Sequence, residues 1–467
     1  MKATPLRTLH KYFHYPSFRP GQIEIIRSII GGQDTLAILP TGGGKSICFQ
    51  IPGLIFTGTT IVISPLISLM KDQVDQLNQR GIKATFINSS LKLNEIQHRL
   101  NCLNLGQYQF CYVAPERLKT HSFLQICQHL TIPLLVIDEA HCISQWGHDF
   151  RPSYLAISQF IGQLSTRPVL AAFTATATKR VCQDITTSLQ LIKPQLFSQG
   201  FYRHNLHFSV ITCASNYQKE IWLFRLLKKH AGQSGIIYTT TRDSADYLAQ
   251  LLKHFHLTAV SYHAGLAQSQ RTLIQDQFLK NEVRVIVATN AFGMGIDKPD
   301  VRFVIHYQIP SSLENYYQEA GRAGRDKLQA ACYLLFCARD ISIVQNLIQS
   351  VSEEQRQVKL AQLQTMVKYA LNKTCRLQYV IQYFGDDPST LICKQCDNCT
   401  QPLKINDQET NRLSQLQLLV AQSDYQPSTN QLQQLVLHQP QSLHDLLLLP
   451  GWGRGLVERW GEQLLTA

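Results

Sequence analysis

The sequence predicts an α/β protein with two tandem parallel-sheet units, followed by a small helical region. Short apolar runs alternate with polar, helix-like segments from about residue 30 to 200, and the alternation returns from about 205 to 340. Many of the runs end at Pro, Ser, Thr or Asp, which is typical of parallel strands with functional loops at their carboxyl ends. With 467 residues and 44% hydrophobic content, the chain has the composition of a globular protein but is too long for one core.

The strands of each unit are predicted from buried apolar runs. In the first unit these are "DTLAILP", "TTIVISP", "ATFINSS", "FCYVAP", "LLVIDEA" and "VLAAFTATA", with helices such as "SLMKDQVDQLNQR" between them. In the second unit they are "SGIIYTT", "TAVSYHAG", "VRVIVATN" and "VRFVIHYQI". We place the first unit at 1–205 and the second at 206–340, with "PQLFSQGFYRHNLHFSV" as the joint.

The last third of the chain has no strand pattern. Residues 341–385 are predicted to be helical and lead into a cysteine cluster, which gives a small subdomain at 341–403. Residues 404–467 are predicted to form a linker and a short helical C-terminal segment that contains "PGWGRG". That glycine-rich turn is either a phosphate contact made by backbone N–H groups or an ordinary turn between two helices.

Composition restricts the partners and the compartment. Lys and Arg outnumber Asp and Glu by 44 to 32, so the formal charge of +12 favours a polyanionic partner, although a basic protein without one has the same balance. The 13 cysteines are an odd number and most lie singly in apolar runs, which is typical of a reducing compartment. No apolar run is long enough to span a membrane, and the N-terminus lacks a secretory signal.

A nucleotide site is predicted where the first strand meets a helix. The candidate loop comprises Thr41, Gly42, Gly43, Gly44, Lys45 and Ser46. The glycines would let backbone N–H groups converge on phosphates, Lys45 would reach the β and γ phosphates, and Ser46 would hold Mg²⁺. The strict P-loop pattern has Gly at the position of Leu39, so the alternative is a flexible glycine turn.

Two acids follow the apolar run "LLVI". Asp138 is predicted to bind Mg²⁺ through water, and Glu139 to orient and deprotonate the attacking water. His141 could couple this site to the second unit. In isolation the same pair of acids would more often cap a helix.

The second unit carries "QEAGRAGRD", with Gln318, Arg322 and Arg325. Arginines from a second lobe can close on the γ-phosphate and stabilise the charge of the transition state. A surface helix with salt bridges is the alternative interpretation.

The cysteine cluster has the spacing of a metal site. Cys393, Cys396 and Cys399 form C-x₂-C-x₂-C, and 17 residues separate Cys375 from Cys393. Four thiolates suit tetrahedral, structural Zn²⁺ that staples a small helical platform. The alternative is an iron–sulfur cluster, although the usual fourth cysteine followed by proline is missing.

Seven motifs in order identify a family resemblance. They are "FRPGQ", "PTGGGKS", "SPLISLMKDQV", "DEAH", "FTATAT", "VATNAFGMGIDKPDVR" and "YYQEAGRAGRD". Over about residues 5–400 the chain resembles a RecQ-type DNA helicase of superfamily 2. The resemblance implies two RecA-like lobes with ATP in the cleft between them and a helical zinc subdomain behind them.

The resemblance also implies roles for further residues in the ATP cleft. Tyr15, Arg19 and Gln22 would contact adenine, which suits an aromatic face and an amide. Arg325 is the first choice of arginine finger, and Asp297 would contribute to ATP-linked coupling of the lobes.

Nucleic-acid contacts are implied directly after the acids. Family members have an aromatic-rich loop here that engages single-stranded DNA, and base stacking tolerates any sequence. In this chain the loop residues are Trp146, His148, Phe150 and Arg151. The alternative is that the aromatic residues anchor the core of the lobe. Further candidates for phosphate contacts are Ser64, Pro65, Arg242 and Thr289.

The function expected from this resemblance is an ATP-dependent 3′→5′ DNA helicase in recombination and repair. Its partners would be single-stranded and duplex DNA, in the cytoplasm (at the nucleoid in a bacterium, in the nucleus of a eukaryote). Residues 400–467 are too few for the family's winged-helix domain and show no wing-like strands, so we expect that domain to be absent. The alternatives are an RNA helicase, a translocase that does not unwind, and a non-catalytic nucleic-acid-binding scaffold.

Overall fold

The computed structural model describes residues 4–40, 42–147, 149–198, 200–255, 257–293, 298–386 and 393–400, with a few positions between 442 and 462. Three predicted site residues, Thr41, His148 and Asp297, lie outside the described residues. Almost all of the predicted C-terminal segment also lies outside them.

The first lobe contains a seven-stranded parallel sheet in the order β3-β4-β2-β5-β6-β1-β7. Its strands are β1 Thr35–Ile38, β2 Thr60–Ile63, β3 Ala84–Ile87, β4 Phe110–Val113, β5 Leu134–Ile137, β6 Val169–Thr174 and β7 Gln195–Ser198. Ile61 and Ile63 pack into the core on one face while Val62 packs into the core on the other. Burial on both faces explains why these strands are continuous apolar runs.

Helices cover both faces of the first sheet. They are α1 Pro5–Phe13, α2 Gln22–Ile30, α3 Lys45–Ile55, α4 Ile67–Gln79, α5 Leu93–Asn104, α6 His121–His129, α7 Ala156–Gly162 and α8 Lys179–Ser188. Short 3₁₀ turns span Pro115–Lys119, Ala140–Ile143 and Pro152–Leu155. At the start of α8, the Thr178 hydroxyl accepts the Val181 N–H as an N-cap.

The second lobe has a six-stranded parallel sheet in the order β10-β11-β9-β12-β13-β8. The strands are β8 Leu206–Thr212, β9 Ser234–Tyr238, β10 Ala259–Tyr262, β11 Val285–Ala288, β12 Val301–His306 and β13 Ala330–Phe336. The helices are α9 Asn216–Lys229, α10 Arg242–His254, α11 Gln268–Leu279 and α12 Leu313–Ala320. Four of these strands were predicted, whereas β8 and β13 were not.

The predicted joint between the lobes connects the last strand of the first sheet to the first strand of the second. The segment contains β7 and most of β8, neither of which was predicted as a strand. Three of the four residues of β7 are exposed, so this edge strand has no buried apolar run that would reveal it in the sequence.

The third region is helical, as predicted, and consists of α13 Arg339–Gln349, α14 Glu353–Leu371 and α15 Arg376–Phe384. It packs against the second lobe through the cysteine loop, where the Asp397 N–H donates to the Phe208 carbonyl of β8 at 3.1 Å. Phe384 of α15 stacks on Phe201 between the lobes, with ring centroids 4.2 Å apart. The predicted class of two α/β lobes followed by a helical subdomain is therefore confirmed.

Among the described residues, no helix combines the length and apolar character needed to cross a membrane.

Candidate nucleotide, nucleic-acid and metal sites

A cleft of about 510 Å³ opens between the two lobes. Sheet order explains its position, because β6 lies between β1 and β5 and the loops after these strands meet at one edge. The predicted site residues that line it are Tyr15, Arg19, Gln22, Gly42, Gly44, Lys45, Ser46, Ser64, Asp138, Glu139, Gln318, Arg322 and Arg325. Residues more than 300 positions apart in the chain thus meet in one cavity.

The phosphate loop connects β1 to the N-terminus of α3. Gly42 and Gly44 have φ angles of 79°, a left-handed conformation that L side chains rarely adopt. A Cβ on Gly43 would lie 2.9 Å from the Pro40 carbonyl oxygen. This backbone can therefore curve tightly around a phosphate at a helix N-terminus.

The predicted adenine contacts lie beside the phosphate loop. The Gln22 amide is buried, and its Nε2 donates to the Gly44 carbonyl at 3.1 Å while its Oε1 accepts the Arg19 N–H at 2.8 Å. The Arg19 guanidinium donates to the Gly42 carbonyl, and the Tyr15 side chain is half-exposed in the same cleft. Contact with adenine stays a prediction for these residues.

The acids after β5 face the phosphate loop. Lys45 Nζ donates to Glu139 Oε1 at 3.2 Å, and the Ser64 hydroxyl donates to Asp138 Oδ2 at 3.3 Å. Burial and the neighbouring Glu139 raise the pKa of Asp138 to about 6. Burial alone would lower the pKa of Lys45, but attraction to Glu139 and Asp138 outweighs burial and raises it. These opposite charges create a strong local preference for a cation near the acids and for phosphate near Lys45.

Glu139 has a strained backbone, with φ 48° and ψ 47°. A non-glycine residue in the left-handed region is uncommon and often marks a functional site. The conformation turns the carboxylate towards Lys45 and leaves Oε2 at 3.3 Å from His141 Nδ1. His141 Nδ1 also lies 2.9 Å from the Thr174 hydroxyl, at the end of β6. His141 therefore connects Glu139 to the "FTATAT" motif.

The arginines of the second lobe differ in what they contact. Arg322 is buried and donates to the Gly293 carbonyl of its own lobe. Arg325 extends across the cleft, where its Cγ lies 3.5 Å from the position that a Cβ on Gly42 would occupy. Arg325 also acts on Lys45 electrostatically, because its positive charge opposes the rise in the pKa of that amine. Of the two, Arg325 has the geometry expected for an arginine finger.

The aromatic loop is partly buried. One face of the Trp146 indole is covered by the Arg180 guanidinium, whose carbon lies 3.3 Å from the ring centroid. Arg151 donates to Asp149 Oδ2 at 2.9 and 3.0 Å and to the Pro65 carbonyl at 3.2 Å, which joins this loop to the segment after β2. Phe150 is half-buried beside Arg151. DNA contact by these residues stays a prediction.

The remaining phosphate candidates are placed in different environments. Arg242 is exposed at the start of α10, whereas Thr289 is buried after β11. Ser64 is buried, and its hydroxyl is engaged with Asp138 in the nucleotide cleft. The Ser64 side chain thus lines the interlobe cleft, and contact of Ser64 with phosphates of DNA stays a prediction.

Four cysteines form the candidate metal centre. The sulfur atoms of Cys375, Cys393, Cys396 and Cys399 all lie within 4.8 Å of one another. The Cys393–Cys399 and Cys375–Cys396 separations are 3.8 and 4.0 Å. A tetrahedron of sulfurs at a Zn–S distance of about 2.3 Å has edges of about 3.8 Å, so the cluster fits zinc.

The surroundings of the cysteines also fit thiolates. Backbone N–H groups donate to two of the sulfurs, from Arg376 to Cys396 at 3.4 Å and from Cys396 to Cys393 at 3.3 Å. Such donors stabilise the deprotonated form that binds metal.

Four contacts in these sites could not be identified from the sequence. The Tyr154 hydroxyl donates to the Asp138 carbonyl at 2.8 Å, and Thr174, Arg180 and Gln362 contact the acid and aromatic loops. Only Thr174 lay in a quoted motif, "FTATAT", which could have drawn attention to it.

Comparisons with known families agree with this geometry. A DEAD/DEAH box helicase model matches residues 19–185, and a helicase conserved C-terminal domain model matches 218–327. A two-lobed cleft with a phosphate loop, paired acids and opposing arginines defines the class as an ATP-dependent helicase. A RecQ zinc-binding model then matches residues 338–400, which include the four cysteines.

The relatives and solved structures identify the family. The chain is 48% identical to the ATP-dependent DNA helicase RecQ of Bacillus subtilis, over 85% of this chain and 67% of that protein. It is 43% identical to the RecQ of Pasteurella multocida, over 87% of this chain and 64% of that protein. The helicase Lhr of Mycobacterium smegmatis, bound to single-stranded DNA and AMP-PNP, shares the fold with a TM-score of 0.59 at 17% identity, over 83% of this chain and 57% of that one. This chain belongs to the RecQ family of DNA helicases, and it spans about two thirds of the length of these RecQ relatives.

Proposed function

We propose that this chain hydrolyses ATP in the interlobe cleft and uses the energy to move 3′→5′ along single-stranded DNA and unwind duplex DNA. The observation that carries the proposal is that Lys45, Asp138 and Glu139 of one lobe share a cavity with Arg325 of the other. The two RecQ relatives described above are named as ATP-dependent DNA helicases. We place this activity in recombination and repair, as the family resemblance of the sequence implies.

The proposed roles follow from the chemistry of each group. Lys45 and the loop N–H groups bind the β and γ phosphates, while Ser46 and Asp138 hold Mg²⁺. Glu139, at 3.2 Å from Lys45, orients and deprotonates the attacking water. Arg325 stabilises the charge that develops on the transferred phosphoryl group.

Charge and surface exposure support the nucleic-acid side of the proposal. The net charge of +12 favours a polyanion, and Trp146 with its neighbours offers a stacking surface that tolerates any base. Arg242 is exposed and can bind phosphate. Because Trp146 follows Glu139 by only seven residues, DNA bound at the loop can alter the position of the acids.

We further propose that zinc has a structural role only. The proposed domain boundaries are residue 205 between the two lobes, residue 340 before the zinc-binding subdomain and residue 403 after it. The cytoplasm, or the nucleus in a eukaryote, is the compartment that the reduced thiols and the DNA partner favour.

Steady-state ATP hydrolysis tests the proposal. Single-stranded DNA should stimulate hydrolysis well above the rate without polymer and above the rate with RNA of equal length, and Lys45→Ala should abolish the stimulated rate. Stimulation by RNA alone would favour an RNA helicase, and a slow rate that neither polymer changes would contradict a nucleic-acid motor.

A further inference from the structure

The loop residue Trp146 is held from two separate parts of the molecule. Arg180 of α8 stacks on its ring from the first lobe, with the guanidinium carbon 3.3 Å from the ring centroid. Gln362 of α14 donates its Nε2 to the Trp146 carbonyl at 2.9 Å, from the zinc-binding subdomain. Gln362 is only 8% exposed, so this is an interior contact with little competition from water.

The helix that carries Gln362 is anchored to the second lobe. The Arg376 guanidinium donates to the Tyr369 carbonyl of α14 at 2.6 Å and, through Nε, to Asp397 Oδ1 at 3.0 Å. Asp397 Oδ2 in turn accepts the Val210 N–H of β8 at 2.8 Å. A movement of the second lobe is therefore passed to α14 through buried, charge-assisted hydrogen bonds.

The loop between Trp146 and the catalytic acid is tight. The Trp146 N–H donates to Ser144 Oγ at 3.1 Å, and the Ser144 N–H donates to the His141 carbonyl at 3.2 Å. A Cβ on Gly147 would collide with that same carbonyl, so only glycine fits this close approach. His141 lies 3.3 Å from Glu139. A displacement of Trp146 should therefore also move His141 and Glu139.

We infer that Gln362 is a positioning residue through which the second lobe and zinc-binding subdomain hold the aromatic loop, and that this bond sets how strongly DNA stimulates ATP hydrolysis. The inference rests on the proposed function. It assigns the zinc-binding subdomain a role in coupling DNA binding to ATP hydrolysis, which is separate from its role in stabilising the fold. A hydrogen bond that merely contributes to packing would leave the ratio of stimulated to basal hydrolysis unchanged.

Three variants of α14 separate these possibilities. Gln362→Met keeps the length of the side chain and removes the donor, whereas Gln362→Lys keeps a donor of similar reach. Gln364→Met is the matched control, because Gln364 is exposed on the same helix. ATP hydrolysis is measured without polymer and at saturating single-stranded oligo(dT), and thermal midpoints are recorded for each variant.

The expected result is a ratio of stimulated to basal rate that falls about two- to tenfold in Gln362→Met, the range for loss of one hydrogen bond. Gln362→Lys should restore most of the ratio, and Gln364→Met should match the unsubstituted chain. Equal ratios in Gln362→Met and Gln364→Met overturn the inference.

Three further outcomes are also decisive. If Gln362→Met lowers the thermal midpoint, Gln362→Lys is compared with Gln362→Glu instead. The glutamate side chain has a similar length but no hydrogen-bond donor. Equal ratios of stimulated to basal rate in that pair again overturn the inference. If the unsubstituted chain is not stimulated by DNA, the proposed function fails first. If DNA stimulates the unsubstituted chain and the Gln362 variants have the same ratio of stimulated to basal rate as Gln364→Met, the proposed function stands and this inference fails alone.

Discussion

The two lobes present their polar and charged groups to the shared cleft in opposite ways. In the first lobe the groups pair with one another, Lys45 with Glu139 and Ser64 with Asp138. In the second lobe Arg322 is bound to the Gly293 carbonyl of its own lobe, while Arg325 reaches over Gly42. From this difference we expect nucleotide binding to depend mainly on the first lobe, and the charge needed in the transition state to depend on how the second lobe is placed.

The largest effect is expected for Arg325→Ala. Because Arg325 is the second-lobe arginine that extends to the phosphate loop, its loss should lower kcat for stimulated ATP hydrolysis by about 10³-fold or more. Nucleotide binding, measured by equilibrium fluorescence with a labelled ATP analogue, should change little.

Arg322→Ala is the matched comparison for Arg325→Ala. Arg322 is buried against the Gly293 carbonyl, so its removal should lower the thermal midpoint as well as the rate. If both variants keep the native midpoint and lose the same activity, the proposed division of roles between the two arginines is wrong.

The next largest effect is expected for Glu139→Gln in the first lobe. The amide keeps the size of the side chain but cannot accept a proton from water, so kcat should fall about 10²- to 10⁴-fold. ATP should still bind, because the loop and Lys45 are unaltered. A variant that hydrolyses ATP within a few fold of the original would show that another group is the base.

The attachment of the zinc-binding subdomain to the second lobe can be tested with Arg376→Met. This change leaves Asp397 buried without its cation, so the free energy of unfolding should fall by about 3–5 kcal/mol in urea titrations. The control is Arg356→Met, which removes a helix-surface ion pair with Glu353 whose side chains are 35% and 68% exposed, and should cost less than about 1 kcal/mol. Equal losses in the two variants would contradict a buried anchor.

The smallest of these effects is expected for Trp146→Ala. Loss of one stacking contact should raise the half-saturating concentration of single-stranded DNA about five- to a hundredfold, while ATP binding is retained. A large drop in thermal midpoint with no specific change in DNA response would favour the alternative of a core anchor.

The cleft could be predicted from the sequence because its residues lie in local motifs at strand ends. The runs "DTLAILP" and "LLVIDEA" gave β1 and β5, and parallel topology then brings Lys45 and Asp138 together. The cysteine spacing likewise predicted the cluster, since C-x₂-C-x₂-C leaves few arrangements other than a metal site.

The contacts that could not be predicted join distant parts of the chain. Gln362 and Trp146 are separated by 216 positions, and Gln362 belongs to a helix with many other glutamines nearby. The motif does not reveal the direction of the Ser64 side chain, whose hydroxyl donates to Asp138 in the structure. The strand β7 buries too little apolar surface to leave a pattern.

Unwinding of a short duplex with a single-stranded tail tests the central claim most directly. With ATP and Mg²⁺, this chain should separate a duplex that carries a 3′ DNA tail on the tracked strand, and should act far less on a 5′-tailed or blunt duplex. Lys45→Ala, and replacement of ATP by a non-hydrolysable analogue, should each abolish the reaction. Strand separation that proceeds equally well without ATP hydrolysis, or no separation of any tailed duplex despite DNA-stimulated hydrolysis, would contradict the account.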